Sequence, residues 1–364
     1  MTKYYLQAVR SERTDPYANL AAETLLLTAA KENTAYFYLW ANEPTVVIGA
    51  NQNPFTECDL SAMEKGGVHL ARRITGGGAV YHDEGNLNFS FVMPNALYDV
   101  KRQLSVICSA LRKLGIQAEP SGRNDLTVNG AKVSGNAFYK GKTHSLHHGT
   151  LLVNADFTAL SRYLTPQPQK LAKKGVSSVR ARVANLSEFS RFSVPELKNA
   201  LPSAFFAEYK GERNEDYSSL GVDFERNVGA SDVFGLDFSD EIEKRRKYIA
   251  SDKYLYEKWR AFCKKRQNQF ERGFASVSFK ADENGVLKSV VFETDGLYPD
   301  VVDLLERELV GKTISKTTDG FCVSESTEDF LNTIIRDNPS VFSSEESILT
   351  ARDLTTLITE ERYG

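Results

Sequence analysis

The chain is poor in cysteine and contains no long apolar run. Its four cysteines, Cys58, Cys108, Cys263 and Cys322, are widely separated and form no CxxC pair. This spacing argues against a zinc ribbon, a thioredoxin-like couple or a disulfide framework, so we expect free thiols. No stretch approaches the roughly 18 apolar residues of a transmembrane helix, and the N-terminus lacks the apolar core of a signal peptide. We therefore expect a cytoplasmic protein with no membrane partner.

A large excess of charge of either sign is also missing. Lys and Arg number 45 against 48 Asp and Glu, for a net charge of -3. The net charge would not attract the chain to nucleic acid, so we expect no nucleic-acid partner. We infer that any bound anion is held by a local site. The five histidines all lie between positions 69 and 148. Five residues can cluster in this way by chance, so we do not expect a metal site built from these histidines.

Length and composition indicate one large and one small domain. The 364 residues with 41% hydrophobic content exceed what a single average domain needs. Residues 209–247 mix glycine, asparagine and charge with little periodicity, as in an irregular connection. We predict a first domain over residues 1–248 and a smaller one over residues 252–364.

The pattern alternates between helices and hairpins, which favours an α+β fold over a Rossmann arrangement. Asp15-Pro16 is typical of a helix start, and Gly115 is placed to end another helix. Asn129-Gly130 predicts a type I′ hairpin turn between antiparallel strands. Residues 87–93 alternate as a strand with one apolar face, and Thr56 is predicted to cap a short helix.

The stretch RRITGGGAVYHDEGNLNFSF, residues 72–91, carries the strongest functional signal. Three glycines follow Arg72 and Arg73 and precede His82 and Asp83, so open backbone N–H groups, positive charge and an acid fall close together. The stretch lacks the spacing of a P-loop or a dinucleotide fingerprint. We interpret it as a loop that approaches a phosphorylated ligand, with an arginine neutralising phosphate. An ordinary turn is the alternative.

Lys132 is a second signal, because it follows the tight Asn129-Gly130 turn within a strand-like run. A solvated lysine is the default expectation at such a position. On a rigid hairpin, however, a lysine can reach both a carboxylate and an α-phosphate and so help to form an acyl adenylate. Asp125, on the preceding strand, supplies an acid that would orient this lysine or hold Mg²⁺.

Five segments together resemble a known family. They are RRITGGGAVYHDEGN, GRNDL, AKVSGNAF, HHGTLL and KLAKKGVSSVRARVANL. In this order and at these separations they look like the lipoate-protein ligase family of the biotin/lipoyl protein ligase fold. The resemblance is close over about residues 4–190 and looser in VSFKADENGVLKSVVFETDGL near the C-terminus. It implies a large domain of mixed, mostly antiparallel sheets with packed helices, followed by a small α+β accessory domain.

The resemblance also implies a two-step reaction. Lipoate or octanoate would react with MgATP to give an acyl adenylate and pyrophosphate. The acyl group would then pass to a lysine of the lipoyl domain of a 2-oxoacid dehydrogenase E2 subunit or of the glycine cleavage H protein. We also expect a monomer.

Carried over position by position, the resemblance assigns roles to individual residues. Lys132 would contact the lipoate carbonyl and the phosphate in both steps. Contacts to ATP and the adenylate would come from Arg73, Gly78, Ala79, Val80, Tyr81, Asp83 and Lys132. Contacts to lipoate would come from Ile74, Gly76, Gly77, His82, Lys132, His148 and Gly149.

Two other functions stay open on sequence grounds. The nearer one is an acyltransferase on the same fold that takes octanoyl or lipoyl groups from a carrier without ATP. Cys58 is a candidate nucleophile for that reaction. The other is a non-enzymatic module that binds a lipoylated protein, although such a module would have no use for Lys132 and Asp83 beside a glycine run.

Overall fold

A computed structural model describes residues 4–122, 124–164, 183–209, 222–223, 238–256, 264–282, 286–317, 320–323 and 327–359. Most of the predicted KLAKKGVSSVRARVANL segment, residues 170–186, lies outside this part of the chain. Within the described ranges, no helix combines the length and the apolar character that a bilayer crossing requires.

Strands and helices alternate along the chain. The strands are β1 (Tyr5–Arg10), β2 (Thr34–Trp40), β3 (Thr45–Ile48), β4 (His69–Arg72), β5 (Val80–His82), β6 (Asn86–Pro94), β7 (Glu119–Ser121), β8 (Asp125–Val128), β9 (Ala131–Lys140), β10 (His144–Leu152), β11 (Val222–Asp223), β12 (Lys264–Phe270), β13 (Gly273–Ala281), β14 (Leu287–Thr294), β15 (Ile314–Thr317) and β16 (Gly320–Val323). The helices are α1 (Pro16–Thr28), α2 (Pro54–Glu57), α3 (Leu60–Lys65), α4 (Val100–Lys113), α5 (Phe157–Tyr163), α6 (Val194–Glu208), α7 (Phe238–Ile249), α8 (Asp252–Tyr256), α9 (Pro299–Leu309), α10 (Thr327–Asp337) and α11 (Glu345–Thr359), with a 3₁₀ turn at Leu186–Glu188.

The larger part of the molecule is built on two sheets. Among the described residues, the main sheet has eight strands in the order β11-β1-β2-β6-β10-β9-β8-β7. Strand β1 runs parallel to β11 and β2, and every following pair is antiparallel. A smaller sheet has the order β4-β3-β5, with β3 parallel to β4 and antiparallel to β5. These mixed, mostly antiparallel sheets with packed helices confirm the predicted α+β fold.

Helices cover both faces of the main sheet. Helices α4 and α6 pack on one face, where the ring centroids of Phe37 and Phe91 lie 4.5 Å apart and those of Phe37 and Phe205 lie 5.3 Å apart. Helices α1 and α7 pack on the other face, against Tyr36, Tyr38 and Leu146. Burying each such side chain contributes about 1.5–3 kcal/mol, so these two clusters fix the sheet that carries the site.

Strand β6 shows the predicted alternation but is buried on both faces along its whole length. Leu87, Phe89 and Phe91 belong to the α4 and α6 cluster. Asn88 and Ser90 face the opposite side, and are 2% and 0% exposed. The polar face is closed because the smaller sheet and α1 cover it. This arrangement places amide and hydroxyl groups in the interior, beside the candidate site.

Several predicted helix and turn signals are confirmed. The Asp15 carboxylate accepts hydrogen bonds from the backbone N–H groups of Tyr17 and Ala18 at the start of α1. Gly115 follows α4 with φ +80°, a left-handed conformation that glycine adopts without strain. Asn129 and Gly130 have φ angles of 50° and 74°, as a type I′ turn requires.

The prediction that Thr56 caps a helix is wrong. Two short helices occupy this region, and their N-caps are Asn53 and Asp59. The backbone of Cys58 is extended and interrupts them, because it forms a bridge with Leu164. The hydroxyl of Thr56 is instead directed to the carboxylate of Glu293 in the C-terminal part.

The C-terminal part has its own apolar core. The three-stranded sheet β12-β13-β14 packs against α9 and α11, and the apolar cluster runs from Ala275 to Ile358. Helix α8, which the predicted division assigns to the second domain, instead contacts α7 and β4. Its Leu255 carbonyl accepts a hydrogen bond of 2.7 Å from the Arg72 guanidinium. The division at residues 248 and 252 stays a prediction.

Candidate active site

A cavity of about 420 Å³ lies between the main sheet and the smaller sheet. Its volume falls within the range of small-molecule sites. Ten residues that the sequence nominated line it: Arg73, Gly77, Gly78, Ala79, Val80, Tyr81, His82, Lys132, His148 and Gly149. Residues separated by up to 76 positions in the sequence therefore meet at one site, because β5, β9 and β10 converge there.

Four nominated residues do not line this cavity. Ile74 packs on the apolar cluster of α1. A Cβ added at Gly76 would lie 2.1 Å from the Gly296 carbonyl oxygen, so this glycine faces the C-terminal part. Asp83 accepts hydrogen bonds from the backbone N–H groups of Gly85 and Asp156, which fixes the loop beside the cavity mouth. Asp125, the fourth, pairs with Lys132. Ligand contacts by these four residues stay predictions.

Sequence reasoning missed most of the apolar wall. The additional lining residues are Leu20, Trp40, Val47, Asn88, Asn124, Gly135, Asn136, Ala137, Thr150, Leu152, Ala155, Asp156, Phe157 and Val183. Leu20, Trp40 and Val47 lie in helix and strand segments whose apolar pattern predicts only ordinary hydrophobic core. Asn88 belongs to the polar face of β6, which was a signal, and seven others lie in the segments that carry the family resemblance: Asn124, Gly135, Asn136, Ala137, Thr150, Leu152 and Val183.

Lys132 is held by a carboxylate at the cavity. Its Nζ atom lies 2.7 Å from Asp125 Oδ1, and the two side chains are 30% and 27% exposed. Asp125 is paired with Gly135 across β8 and β9, and the register shifts beside Thr127 before Lys132. A Cβ at Gly135 would lie 3.3 Å from Lys132 Nζ, so glycine at this position leaves room for the ammonium group. A positioned, partly desolvated cation results.

The guanidinium of Arg73 shapes the glycine loop. It donates hydrogen bonds to the carbonyl oxygens of Gly76, Gly78 and Val47 at 2.7, 2.8 and 3.1 Å, and to Thr75 Oγ1 at 3.1 Å. The side chain is 7% exposed, and burial lowers its pKa to about 10. Arg73 therefore remains charged at neutral pH while its donors are directed at backbone carbonyls.

Arg72 shapes the neighbouring segment instead. Because side chains alternate along a strand, it leaves β4 on the opposite side from Arg73. Its Nη1 atom donates to the carbonyls of Gly49, Ala50 and Gln52, at 3.2, 3.0 and 2.7 Å. Arg72 does not line the cavity.

The C-terminal part docks on the glycine loop. The backbone N–H of Gly77 donates to the Gly296 carbonyl at 2.9 Å, and Thr294 N–H donates to the Asn51 carbonyl at 2.9 Å. Gly77 has φ +93°, which favours glycine, and a Cβ at Gly49 would lie 2.2 Å from the Gly77 carbonyl oxygen. A second cavity of about 710 Å³, between the two parts, shares Gly77, Gly78 and Asn124 with the first.

His148 is fixed by partners on both ring nitrogens. Its Nδ1 lies 2.8 Å from Glu23 Oε1, and its Nε2 lies 2.8 Å from Thr75 Oγ1. Arg73 Nε donates to the same Thr75 oxygen. Since a carboxylate only accepts, Nδ1–H donates to Glu23, and Thr75 O–H can donate to Nε2. The loop arginine and the buried α1 carboxylate are thus joined through two side chains.

Two buried histidines in and behind the cavity wall, His82 and His147, are neutral at neutral pH. Burial, together with smaller contributions from the charge of Arg73 and from His148, lowers the pKa of His82 to about 3. Burial also lowers the pKa of His147 to about 3. The thiol of Cys58 is buried in the cluster around Met63, outside the cavity lining, and desolvation raises its pKa to about 12. Such a thiol is a poor nucleophile at neutral pH.

The described residues contain no group of three His, Cys, Asp or Glu side chains arranged to hold a metal ion. Asp125 is the nominated Mg²⁺ ligand, and its nearest charged neighbour is Lys132. One carboxylate is compatible with Mg²⁺ that arrives with nucleotide phosphates, since this ion is usually held by one or two carboxylates together with phosphates and water.

Comparisons with known proteins agree with this geometry. The lipoyl protein ligase A/B catalytic domain family matches residues 15–206. A lipoate-protein ligase A from Bdellovibrio bacteriovorus is 39% identical over 312 residues, which cover 84% of this chain and 88% of the relative.

Solved structures give the same result. P. falciparum LipL1 in complex with lipoate superposes with a TM-score of 0.73 at 28% identity, over 93% of this chain and 100% of that chain. A bipartite lipoate protein ligase from Thermoplasma acidophilum gives 0.55 at 28% identity, over 71% and 96%. Lipoate-protein ligase A bound with ATP gives 0.53 at 27% identity, over 71% and 98%. With this family match, sequence identity and fold, the chain belongs to the lipoate-protein ligase family.

Proposed function

We propose that the protein activates lipoate with ATP as lipoyl-AMP and transfers the lipoyl group to a lysine of lipoyl-domain proteins. The acceptors would be E2 subunits of 2-oxoacid dehydrogenases and the glycine cleavage H protein. The observation that carries the proposal is the position of Lys132, whose ammonium group stands at a cavity with an apolar wall on one side and a glycine loop on another.

Each step needs charge stabilisation rather than a protein nucleophile. In the first, a lipoate carboxylate oxygen attacks the α-phosphorus of ATP, and the bond to the leaving pyrophosphate breaks. In the second, the acceptor lysine amine attacks the acyl carbonyl, and AMP leaves. Lys132 would stabilise negative charge on the phosphate and then on the carbonyl oxygen. Its pairing with Asp125 keeps it in place before substrate arrives.

We assign one set of lining residues to the adenylate and another to the acyl chain. The backbone of Gly78, Ala79, Val80 and Tyr81 would contact the adenylate, since glycine and extended backbone present N–H groups to a ligand. The acyl chain would lie against Leu20, Trp40 and Val47, with His82, His148 and Gly149 around it. Arg73 would act through the loop it holds, as well as through its charge.

Three further residues would support the site from outside the cavity. Ile74 fills the apolar layer behind the loop, and Gly76 permits contact with the C-terminal part. Asp83 orders the backbone at the mouth of the cavity.

We assign residues 1–248 to the catalytic domain and residues 252–364 to a small domain with an accessory role at the glycine loop. Mg²⁺ would neutralise the ATP phosphates when bound, with Asp125 as its protein ligand.

The decisive experiment is a lipoylation assay with a purified lipoyl domain and with H protein, each with and without ATP. We expect acceptor modification and release of one pyrophosphate per lipoyl group only when ATP is present. An ATP-independent transferase would instead use an octanoyl or lipoyl carrier. Transfer from such a carrier without ATP, at a rate similar to the ATP-dependent rate, would overturn the proposal.

A further inference from the structure

Three buried polar side chains meet behind the cavity wall, on the face of the main sheet that packs against α4. They are Gln103 on α4, Asn136 on β9 and His147 on β10, and they are 0%, 4% and 0% exposed. Nδ1 of His147 lies 2.9 Å from the Gln103 side-chain amide, and Nε2 lies 2.9 Å from Asn136 Oδ1. The His147 ring packs against Phe89 and Phe91 and does not line the cavity. None of the three has a part in the proposed function.

The Asn136 amide fixes which nitrogen of His147 carries the hydrogen. Its Nδ2 atom donates to the Asn124 carbonyl at 3.0 Å, so Oδ1 is the atom that faces His147. An amide oxygen only accepts, and Nε2 of His147 therefore donates to it. Burial lowers the pKa of His147 to about 3, so the ring is neutral at neutral pH. The other ring nitrogen, Nδ1, is consequently an acceptor.

Gln103 supplies the donor for this acceptor. The Gln103 amide oxygen lies beside Nδ1, while its amide nitrogen is buried without a partner in the described part of the chain. Two acceptors 2.9 Å apart repel each other, and a half-turn of the amide exchanges the oxygen for the nitrogen. The result is a chain of donors, which we call the donor chain, that runs from Gln103 through His147 and Asn136 to the Asn124 carbonyl.

The donor chain holds the end of β8 that carries the partner of Lys132. The backbone N–H and the Nδ2 atom of Asn136 both donate to the Asn124 carbonyl, at 2.8 and 3.0 Å. Nδ2 of Asn124 donates back to the Asn136 carbonyl at 3.0 Å. Asp125 follows Asn124 directly, and its carboxylate lies 2.7 Å from Lys132 Nζ. A shift of Asn124 would therefore move the carboxylate that holds the lysine.

We propose that His147 is a positioning residue for Lys132, although it lies outside the cavity. This inference rests on the proposed function. The Nε2–H group of His147 keeps the Asn136 amide in the orientation that holds Asn124. Without this donor, Asn136 Oδ1 is buried and unpaired, and the amide rotates away from the Asn124 carbonyl. The donor chain does not reach the acyl side of the cavity, so its loss slows the reaction and leaves lipoate binding intact.

The test measures kcat and KM for pyrophosphate release from ATP with lipoate. His147→Phe keeps the ring contacts but loses the donor, and we expect kcat to fall about tenfold while KM for lipoate changes by less than about twofold. His147→Gln keeps an N–H donor and should retain kcat within about threefold. His144→Phe is the matched control, because His144 is also buried on β10 but its Nε2 lies at the Thr34 carbonyl. This control should lower thermal stability and leave kcat and KM unchanged.

A double variant tests whether His147 acts through Asn136. Asn136→Ser removes both the acceptor and the donor of the amide. Because the contact between the two residues is then already lost, His147→Phe should lower kcat by no more than about a further twofold in the Asn136→Ser background. Losses of kcat that multiply in the double variant would overturn the inference.

Wild-type kcat in His147→Phe, or an equal loss of kcat in His144→Phe, would also overturn it and would leave the ligase function intact. If His147→Phe does not fold, Asn136→Ser decides the question, since wild-type kcat in that variant is incompatible with the proposal. NMR of isotope-labelled imidazole rings gives a readout that needs no activity: we expect the Nε2–H tautomer of His147, and the Nδ1–H tautomer would refute the donor chain. Absence of pyrophosphate release by the wild type would instead contradict the proposed function.

Discussion

Nδ1 of His148 lies 2.8 Å from Oε1 of Glu23, and the pair joins a strand of the site to a helix 125 residues earlier in the chain. Glu23 is 1% exposed, and its Oε1 also accepts from the Ser90 hydroxyl at 2.6 Å. Ser90 in turn accepts from the Trp40 indole N–H at 3.0 Å. The buried carboxylate on α1 is therefore the common acceptor for side chains on β6 and β10, and Ser90 links it to Trp40 on β2.

Substitution of Glu23 should lower the free energy of unfolding by an amount that depends on the new side chain. Glu23→Ala removes the acceptor for two buried donors, and we expect a loss of about 2–4 kcal/mol in the free energy of unfolding. Glu23→Gln keeps a carbonyl acceptor and should lose less than half as much. Urea unfolding of both variants gives the comparison, and equal losses would contradict the role of the acceptor.

Lys132→Ala should abolish formation of lipoyl-AMP while the fold is retained. A reduction of about a thousandfold or more in pyrophosphate release is expected, since electrostatic stabilisation of the reacting groups is lost. Lys142→Ala is the control, because Lys142 is exposed at the turn before β10. Adenylation by Lys132→Ala at the rate of this control would refute the role given to the lysine.

Arg73→Ala should weaken ATP binding far more than lipoate binding. Arg73→Lys is the sharper test, because a single ammonium group cannot reproduce the forked donors that hold the carbonyls of Gly76 and Gly78. We expect calorimetry to give similar ATP losses, about tenfold or more, for both variants. Wild-type affinity in Arg73→Lys would mean that charge alone is required and loop shape is not.

Gly76→Ala should separate the C-terminal part from the glycine loop. Its methyl group would lie 2.1 Å from the Gly296 carbonyl oxygen and 2.8 Å from Leu297 Cα, both backbone atoms that cannot move aside alone. Gly78→Ala is the control, since nothing lies within 4 Å of its added Cβ. We expect faster limited proteolysis of the whole chain only for Gly76→Ala. The same cleavage rate in both variants would count against the docking contact.

Stability should fall with acidification below about pH 6.5. The pKa values of His82 and His147 are lowered by burial from 6.5 to about 3, so the unfolded chain binds protons at a higher pH than the folded chain does. The stabilisation is complete above pH 6.5 and is lost as the pH falls toward 3, by up to about 1.4 kcal/mol per pH unit for each histidine.

Urea unfolding between pH 7.5 and 5 measures this slope. His147→Gln should reduce it by the contribution of one histidine, and His147 does not line the cavity. An unchanged slope in that variant would show that His147 takes up protons in the folded state.

Helix starts, helix ends and tight turns could mostly be predicted, because each depends on residues that are neighbours in the sequence. The Asp15 cap, the left-handed Gly115 and the Asn129-Gly130 turn each follow from the chemistry of one or two residues. The prediction that Thr56 caps a helix was wrong because two other residues with capping side chains, Asn53 and Asp59, lie three residues away on either side. The sequence alone did not show which of the three would start a helix.

The motif residues of the site were also predictable, but their partners were not. Nothing in the sequence pairs Glu23 with His148, because the contact depends on how α1 packs across the main sheet. Likewise, nothing in the sequence showed that the Arg73 guanidinium donates to the carbonyl groups of the glycine loop, and its contact with phosphate stays a prediction. The sequence predicted a strand with one apolar face, but it did not show that the other face of β6 is also buried and that Asn88 on that face lines the cavity.

The Arg73 contacts have an electrostatic consequence. Carbonyl dipoles orient a guanidinium but do not cancel its charge, and the nearest carboxylate of this network, on Glu23, is reached only through Thr75 and His148. Lys132 adds a second cation to the cavity lining, and it is paired with the partly exposed Asp125. In a chain with a net charge of -3, two cations that line one cavity, Arg73 and Lys132, would therefore attract nucleotide phosphates where the charge of the whole molecule would not.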